Sequence, residues 1–361
     1  MINVTKSYFP QREKLDKYID QIYASGWMTN NGKLLEELEQ RLKAFLGVEY
    51  LVLVSNGTLA LQVAYHVLGI KNEVITTPFS FVATTNSLLW ENLTPVFVDI
   101  EPHTFNIDPG LIESAISPNT TAILPVHVFG NACEVEKLDI ISKKYSLKLI
   151  YDAAHAFDVS DGNSNVLRYG DASTLSFHAT KIFHTIEGGA IILHNEEDYT
   201  KAKLLINFGI SDYDKVDLLG INCKMNEFQA AMGLAVLDDF EQISIGRERV
   251  WEKYVDAFTK IPEVQLQVNN ERFKNNYSYF PVVFQSEAKL LEIKQELNNQ
   301  NINPRRYFYP SLNRLEYLQH ANPCPVSESL AKRILCLPIF PDLDENAQDA
   351  IIKIIIDKLI K

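Results

Sequence analysis

The chain is poor in the residue patterns that mark metal centres and disulfide-linked folds. Its 361 residues include four scattered cysteines with no CxxC pair: Cys133, Cys223, Cys324 and Cys336. This spacing predicts neither a zinc site nor a disulfide framework, so we expect no metal and reduced thiols in a cytoplasmic setting. The sequence also lacks HExxH, Walker A and GxGxxG motifs. The missing glycine fingerprint argues against an NAD-dependent sugar epimerase or dehydratase.

Positive charge and long apolar runs are also scarce. Asp and Glu outnumber Lys and Arg by 46 to 34, which gives a formal net charge of −12. Nucleic acid is not expected as the main partner, because phosphate backbones are bound by an excess of Lys and Arg. The opening MINVTKSYFPQREK lacks a basic segment followed by an apolar one, and no run of about 18 apolar residues occurs. We therefore expect neither a signal peptide nor a membrane span.

The sequence does contain a regular alternation of strand-like and helix-like segments. Apolar runs such as YLVLV, PVFVDI and LKLIYD alternate with helical patterns such as KLLEELEQRLKAFLG. This alternation predicts an α/β fold with a mostly parallel central sheet, in which ligands bind at the carboxyl ends of the strands. After about Asp239 a long charged helix begins and a shorter α/β pattern follows. We predict a large domain over residues 1–240 and a smaller C-terminal α/β domain over residues 241–361.

Two ionisable residues lie at or near the ends of apolar strands, where an unpaired charge is costly to bury. Asp152 closes LKLIYD; it either caps a following helix or pairs with a cationic ring nitrogen. Lys181 lies between STLSFH and the strand that opens with Gly188 and Gly189. It is either an ordinary surface lysine or a desolvated amine whose lowered pKa makes it nucleophilic. A Schiff-base lysine with an aspartate on a pyridinium nitrogen is the protein's part of pyridoxal phosphate chemistry.

A phosphate-binding segment and an aromatic lid would complete such a site. In VSNGTLAL a strand leads through Ser55, Asn56, Gly57 and Thr58 into a helix, whose N-terminal amides can bind an anion. The alternative is that Ser55 or Asn56 is an ordinary N-cap. Ser176 could add a hydroxyl to the same phosphate. Further along, PFSF offers two aromatic residues, Phe79 and Phe81, either as a lid over a ring or as core residues.

Several longer segments, taken in order, resemble one protein family. They include GWMTNNGKLLEELEQRL, SNGTLAL, VITTPFSFVAT, PVFVDIEPHTFNIDP, IYDAAHAF, SFHATKIFHTIEGGAI, INCKMNEFQAAMGL and INPRRYFYPSL. Together they are similar to the DegT/DnrJ/EryC1/StrS sugar aminotransferases, and the similarity extends over nearly the whole chain. The resemblance implies the pyridoxal-phosphate-dependent transferase fold type I, which is aspartate-aminotransferase-like. It also implies pyridoxal 5'-phosphate as cofactor.

The resemblance assigns cofactor contacts residue by residue. Lys181 is the lysine that attaches the cofactor and carries protons, Asp152 bonds the pyridine nitrogen, and Phe81 stacks on the ring. His155, where many members have glutamine, lies near the ring oxygen. The residues implied at the phosphate are Gly57, Thr58, Ser176 and, from the second subunit of a homodimer, Asn222. The segment INCKM, which contains Asn222, departs from the family's YNYRM.

The resemblance also implies the substrates. The amino donor is L-glutamate and the acceptor a nucleotide-linked keto sugar. The segment around Lys181 is most similar to members that aminate C4 of dTDP-4-keto-6-deoxy-D-glucose, while amination at C3 and UDP- or GDP-linked sugars stay open. A non-catalytic nucleotide-sugar-binding protein of the same fold is a further alternative, disfavoured by the retained Lys181 and Asp152. The implied substrate-binding residues are Trp27, Thr29, Asn30, Arg305, Tyr307 and Tyr309.

Overall fold

The computed structural model describes residues 1–318 and 321–360. The strands are, in chain order, β1 (Ile2–Asn3), β2 (Tyr50–Val54), β3 (Glu73–Thr76), β4 (Thr94–Phe97), β5 (Thr120–Leu124), β6 (Lys148–Asp152), β7 (Ala172–Ser176), β8 (Gly189–Leu193), β9 (Ile210–Asp212), β10 (Lys215–Val216), β11 (Val264–Leu266), β12 (Phe280–Phe284), β13 (Ile302–Asn303) and β14 (Ile334–Leu337).

The α-helices occupy most of the segments between these strands. In chain order they are α1 (Arg12–Ser25), α2 (Lys33–Leu46), α3 (Gly57–Leu68), α4 (Val82–Trp90), α5 (Pro109–Ala115), α6 (Val135–Tyr145), α7 (Glu196–Leu205), α8 (Glu227–Asp238), α9 (Phe240–Phe258), α10 (Glu287–Asn299), α11 (Pro325–Arg333) and α12 (Glu345–Leu359). Within the described residues, no helix is both long and apolar enough to cross a membrane.

A central sheet dominates the first part of the molecule. Among the described residues it has seven strands in the order β2-β8-β7-β6-β5-β3-β4. Each pairing is parallel except those of β8, which runs antiparallel to both β2 and β7. The predicted fold class, α/β with a mostly parallel central sheet, is confirmed. The carboxyl ends of β2, β7 and β6 lie side by side, because only the reversed strand β8 separates β2 from β7.

The two faces of this sheet pack against separate hydrophobic cores. Successive side chains of a strand point to opposite faces, and β2 follows this rule. Leu51 and Leu53 join the core that also contains the leucines of α2, whereas Val52 and Val54 join the core beneath α3. Helices cover both faces, so most strand residues are apolar on both sides; Ser173 and Thr174 of β7 are buried polar exceptions.

A smaller sheet follows α9. Strands β11, β12 and β14 form an antiparallel sheet in that order, and a third core joins it to α9, α10 and α12. The N-terminal strand β1 also contacts this part, since Ile2 pairs in parallel with Ile302 of β13. A division near residue 240 stays a prediction; at that point α8 ends at Asp238 and α9 begins at Phe240.

Candidate active site

A cavity of about 260 Å³ lies at the carboxyl ends of the central strands. Residues that follow β2, β6 and β7 form one wall, and a segment after β13 forms the other. The structure brings together here nine of the fourteen site residues that the resemblance implies: Gly57, Thr58, Phe81, Asp152, His155, Ser176, Lys181, Arg305 and Tyr307. These residues span nearly 250 positions of the chain, so their convergence is a property of the fold and not of any one motif.

Asp152 ends β6 and its carboxylate is buried at the bottom of the cavity. No helix follows it, so the helix-cap alternative does not apply. Its Oδ2 accepts a hydrogen bond from the Thr84 hydroxyl at 2.7 Å, and its Oδ1 accepts one from the Ala154 amide at 3.1 Å. Burial raises the pKa of Asp152, while these two donors and the charge of Lys181 oppose that rise. The carboxylate is thus held by neutral donors and can neutralise a cation that enters the cavity.

Lys181 reaches the cavity from the tight connection between β7 and β8. Its own amide donates to His178 O at 2.8 Å, and the Phe177 amide donates to Gly188 O at 2.8 Å, so the loop is closed at its base. The side chain is half-buried, and desolvation lowers the pKa of Lys181 to about 8, against the opposing effect of the Asp152 carboxylate. Its Nζ lies 6.0 Å from the centre of the Tyr279 ring. An amine with this pKa is deprotonated often enough near neutral pH to act as a nucleophile.

An anion-binding cradle forms where β2 meets α3. Asn56 is the N-cap: its side chain accepts from the Leu59 amide at 2.9 Å, and its carbonyl accepts from the Ala60 amide. The amides of Gly57 and Thr58 have no acceptor among the described residues, so both are available to a ligand. A Cβ on Gly57 would lie 2.9 Å from the Cβ of Ser176. Glycine is therefore required for the cradle to approach the Ser176 hydroxyl closely.

The aromatic residues of the cavity divide into lining and supporting side chains. Phe81 lines the cavity and is 49% exposed, as a side chain that stacks on a bound ring should be. Phe79 is fully buried against Phe129 and Phe308, so its suggested role as a lid is wrong and it belongs to the core. The His155 ring stacks on that of Phe308, with an angle of 7° between the planes and 5.9 Å between the ring centres.

His155 is held in one protonation state by its surroundings. Burial lowers its pKa well below the usual range for histidine. Its Nδ1 accepts from the Phe129 amide at 3.3 Å, so in the neutral ring the proton is on Nε2. The carbonyl of His155 accepts from Asn276 Nδ2 at 2.7 Å, which fixes the backbone. The residue presents a neutral imidazole to the cavity.

The other five site residues that the resemblance implies do not line the cavity of this chain: Trp27, Thr29, Asn30, Asn222 and Tyr309. Trp27 and Thr29 are exposed, and Trp27 Nε1 donates to Asn30 O at 2.9 Å. This loop packs on the start of α8, since the Glu227 amide donates to Thr29 O at 3.1 Å. Asn222 is also exposed, and it lies shortly before the same helix. Most of the residues that do not line the cavity therefore lie on one surface.

Other residues of the site were missed in the sequence. Ser80 and Tyr279 line the cavity, and Thr84 lies behind Asp152. The spacing of Ser80 and Thr84, four residues apart at a helix start, is a signal that could have suggested a shared contact. Tyr279 precedes a strand of the smaller sheet, and no pattern in its neighbourhood predicts that it reaches the cavity.

The donor set fits one cofactor in particular. A half-buried amine, a buried carboxylate and an amide cradle shaped for an anion are the three contacts that pyridoxal phosphate needs at its aldehyde, ring nitrogen and phosphate. The sheet order with a single reversed strand and this site together define a pyridoxal-phosphate-dependent enzyme of fold type I.

The chain belongs to the DegT/DnrJ/EryC1/StrS aminotransferase family, whose model matches residues 10–356. Members of this family depend on pyridoxal phosphate, so the expected cofactor and the expected transaminase class are both confirmed. The chain is 44% identical to the dTDP-4-amino-4,6-dideoxy-D-glucose transaminase of Shigella dysenteriae, over 98% of both chains. It is 39% identical to the enzyme of the same name from Escherichia coli, over 99% of both.

Solved structures agree with this membership. DesI, crystallised in the presence of its TDP-sugar product, superposes with a TM-score of 0.92 at 32% identity. The superposition covers 99% of this chain and 92% of that chain.

Proposed function

We propose that the protein transfers the amino group of L-glutamate to C4 of dTDP-4-keto-6-deoxy-D-glucose, giving 2-oxoglutarate and dTDP-4-amino-4,6-dideoxy-D-glucose. The observation that carries this proposal is the 44% identity, over 98% of both chains, to a relative named for that product. The four cysteines are all free and buried, which supports the cytoplasmic setting expected from the sequence.

Residues of the cavity would supply most of the proposed cofactor contacts. The amides of Gly57 and Thr58 and the hydroxyl of Ser176 would hold the phosphate, while Phe81 would stack on the ring. Lys181 would attach at the aldehyde carbon. When bound, pyridoxal phosphate supplies an electrophilic carbon and a ring that accepts electrons.

Lys181 then acts as the proton carrier. With the amino donor bound, the Lys181 amine would take the proton from Cα of glutamate, and with the keto sugar bound it would deliver a proton to C4 of the sugar. Its lowered pKa, near 8, suits both directions of transfer, because proton transfer is most efficient when the pKa lies close to the working pH. Asp152 would keep the ring nitrogen protonated, since its carboxylate accepts hydrogen bonds only from neutral donors and can neutralise one cation.

Of two adjacent arginines near the cavity, only one is available to bind an acidic group of the substrates. Arg306 is already paired: its Nη2 lies 2.6 Å from Glu287 Oε1, and its guanidinium stacks on Tyr309 at 3.6 Å. Arg305 lines the cavity, stacks on Tyr307 at 4.8 Å and has no carboxylate partner among the described residues. Arg305 is therefore available for a carboxylate or a diphosphate oxygen, both of which suit the planar guanidinium. Tyr307 would hold it in place.

A second copy of the chain would complete the site. Asn222 and the Trp27–Asn30 loop flank the start of α8 and do not line their own cavity, as expected of residues contributed to a neighbour's cavity. The surface around them carries exposed apolar side chains: Ile186, Phe208, Val216, Leu219, Ile221 and Phe228. A patch of this kind marks a protein interface.

The homodimer can be tested by complementation. Lys181→Ala and Asn222→Ala are expected to be inactive separately and to regain activity when mixed, because a hybrid dimer contains one intact site. Sedimentation of the unmixed proteins controls for assembly. A monomer with full activity at the assay concentration would contradict the shared site.

The substrate proposal is tested by incubating the enzyme with glutamate and a panel of keto sugars. NMR of the product is expected to place nitrogen on C4 of the dTDP sugar. The free keto sugar should react much more slowly, because the nucleotide and diphosphate contribute binding energy that positions the ketone. Nitrogen on C3, or turnover with only a UDP or GDP sugar, would overturn the substrate but leave the aminotransferase assignment intact.

A further inference from the structure

A line of buried hydroxyl groups ends on the catalytic carboxylate. The Thr84 hydroxyl donates to Asp152 Oδ2 at 2.7 Å, and Ser80 Oγ lies 2.7 Å from Thr84 Oγ1. A hydroxyl has only one proton to donate. Because the carboxylate takes the proton of Thr84, Ser80 must donate to Thr84, and the order of donors is Ser80, Thr84, Asp152.

The start of α4 places both hydroxyls. Phe81 is the N-cap of this helix and faces the cavity, and its carbonyl accepts from the Thr84 amide at 3.1 Å. Thr84 therefore lies one turn into the helix, fully buried, and is not among the residues that line the cavity. It therefore touches no ligand itself and acts through its two hydrogen-bond partners, Asp152 and Ser80.

A hydrogen bond donated to a carboxylate favours its ionised form, and burial favours its neutral form. At Asp152 burial is the larger influence, so each donor matters. The Ala154 donor is a backbone amide, which every residue at that position would supply. The Thr84 donor is a side-chain hydroxyl, which valine would lack at nearly the same volume. The other ionisable groups that face Asp152 are Lys181, across the cavity, and Tyr65 on α3.

We propose that Thr84 is a positioning residue, whose hydroxyl, oriented by Ser80, keeps Asp152 ionised and fixes the rotation of its carboxylate toward the ring nitrogen of the cofactor. The effect of Thr84 on catalysis rests on the proposed function. Its effect on the ionisation of Asp152 does not, because that effect is present in the protein without cofactor.

The neighbouring residue is a matched control. Thr85 is on the same helix and equally buried, yet its Oγ1 has no hydrogen-bond partner among the described residues. Thr84→Val and Thr85→Val make the same chemical change one position apart. Only the first removes a donor from Asp152, and Thr84→Ser restores that donor.

The decisive measurement is the titration of Asp152 in the full chain freed of cofactor. Infrared difference spectra would follow the carbonyl stretch of its protonated form, identified by its loss in Asp152→Asn. Thr84→Val is expected to move the midpoint upward by about one pH unit, while Thr84→Ser and Thr85→Val leave it unchanged. A midpoint in Thr84→Val equal to that of Thr85→Val would overturn the proposal.

A second readout uses the loaded enzyme. The rate of its reaction with glutamate is expected to fall about tenfold in Thr84→Val, matching the shift of one pH unit, and to recover in Thr84→Ser. A rate in Thr84→Val equal to that of Thr85→Val would also count against the proposal.

If Thr84→Val does not fold, Ser80→Ala decides. A smaller upward shift of the Asp152 midpoint supports the line of hydroxyl groups, and no shift refutes it. Failure of the parent protein to react with glutamate would count against the proposed function alone, because the infrared titration needs no cofactor.

Discussion

The two ends of the central sheet both carry an open space, but they differ in how their charges are neutralised. At the amino ends of the parallel strands lies a cleft of about 790 Å³, three times the volume of the cavity at the carboxyl ends. Four of the six Lys, Arg, Asp and Glu side chains lining this cleft pair with each other: Lys148 with Asp171 at 2.9 Å, and Lys143 with Asp139 at 2.7 Å. The other two, Glu49 and Arg168, are exposed to solvent.

The smaller cavity shows the opposite arrangement. Among the described residues, neither Lys181 nor Arg305 has a carboxylate within ion-pair distance, and Asp152 is bonded only to neutral donors. Burial shifts the pKa of both Lys181 and Asp152 toward the neutral form. Buried groups that the protein itself leaves unneutralised are available to a ligand, so the chemistry follows unpaired charge and not the volume of the opening.

The largest effect that sharpens this comparison is the removal of the cavity lysine. Lys181→Ala is expected to lower turnover by about 10⁴-fold or more, because both covalent attachment and proton transfer are lost. The folded variant should still bind free cofactor, measurable by absorbance. Transamination near the parent rate would contradict the assignment of Lys181 as the catalytic lysine.

The cavity carboxylate should have the next largest effect. Asp152→Asn is expected to reduce turnover by about 10²- to 10³-fold, which corresponds to losing two to three pKa units at the ring nitrogen. Asp171→Asn, at the other end of the sheet, serves as the control and should keep the parent turnover per folded molecule. If Asp152→Asn retains the parent rate, the carboxylate has only a structural role.

The sequence points to Asp152 and Lys181, because each lies at or near the end of an apolar strand and in a family motif, and the structure brings both to the cavity. The sequence predicts contacts less well where segments far apart in the chain meet. A reversal of β8 is favoured by the 12 residues between Ser176 and Gly189, since that number is at the lower limit for the crossover that parallel strands need and the segment contains no helix. The pairing of β1 with β13 could not be inferred, because about 300 residues separate the two strands.

The same limit applies within the site. Thr84 contacts Asp152 only because α4 packs beside the end of β6, and no local pattern links residues 68 positions apart. Phe79 and Phe81 have nearly identical sequence surroundings, and it is the turn into α4 that buries the first and exposes the second.

A third prediction concerns the stability of the protein without cofactor. The folded-state pKa of Lys181, about 8, lies below its unfolded value of 10.5, so the folded state binds fewer protons between these two pH values. Stability should therefore rise as the pH increases from 8 to 10.5, by up to about 3 kcal/mol before allowance for the partial exposure of the side chain. Lys181→Met should remove this increment.

Chemical denaturation of both proteins across this pH range would measure the difference in the free energy of unfolding. A flat difference would mean that Lys181 is solvated as an ordinary surface lysine. The comparison between the two ends of the sheet would then rest on Asp152 alone.

The smallest expected effect lies at the amino end of the sheet, and it is the one most able to break the comparison. Lys148→Ala removes the partner of Asp171 in an ion pair whose side chains are 46% and 33% exposed. Pairs of this kind contribute about 0.2–1 kcal/mol, because water solvates both charges once they separate. We expect a loss of stability within that range, measured by denaturation, and unchanged kcat and KM for both substrates. A fall in kcat comparable to that of Asp152→Asn would show that the larger cleft communicates with the chemistry, and that paired charge does not mark an inert surface in this fold.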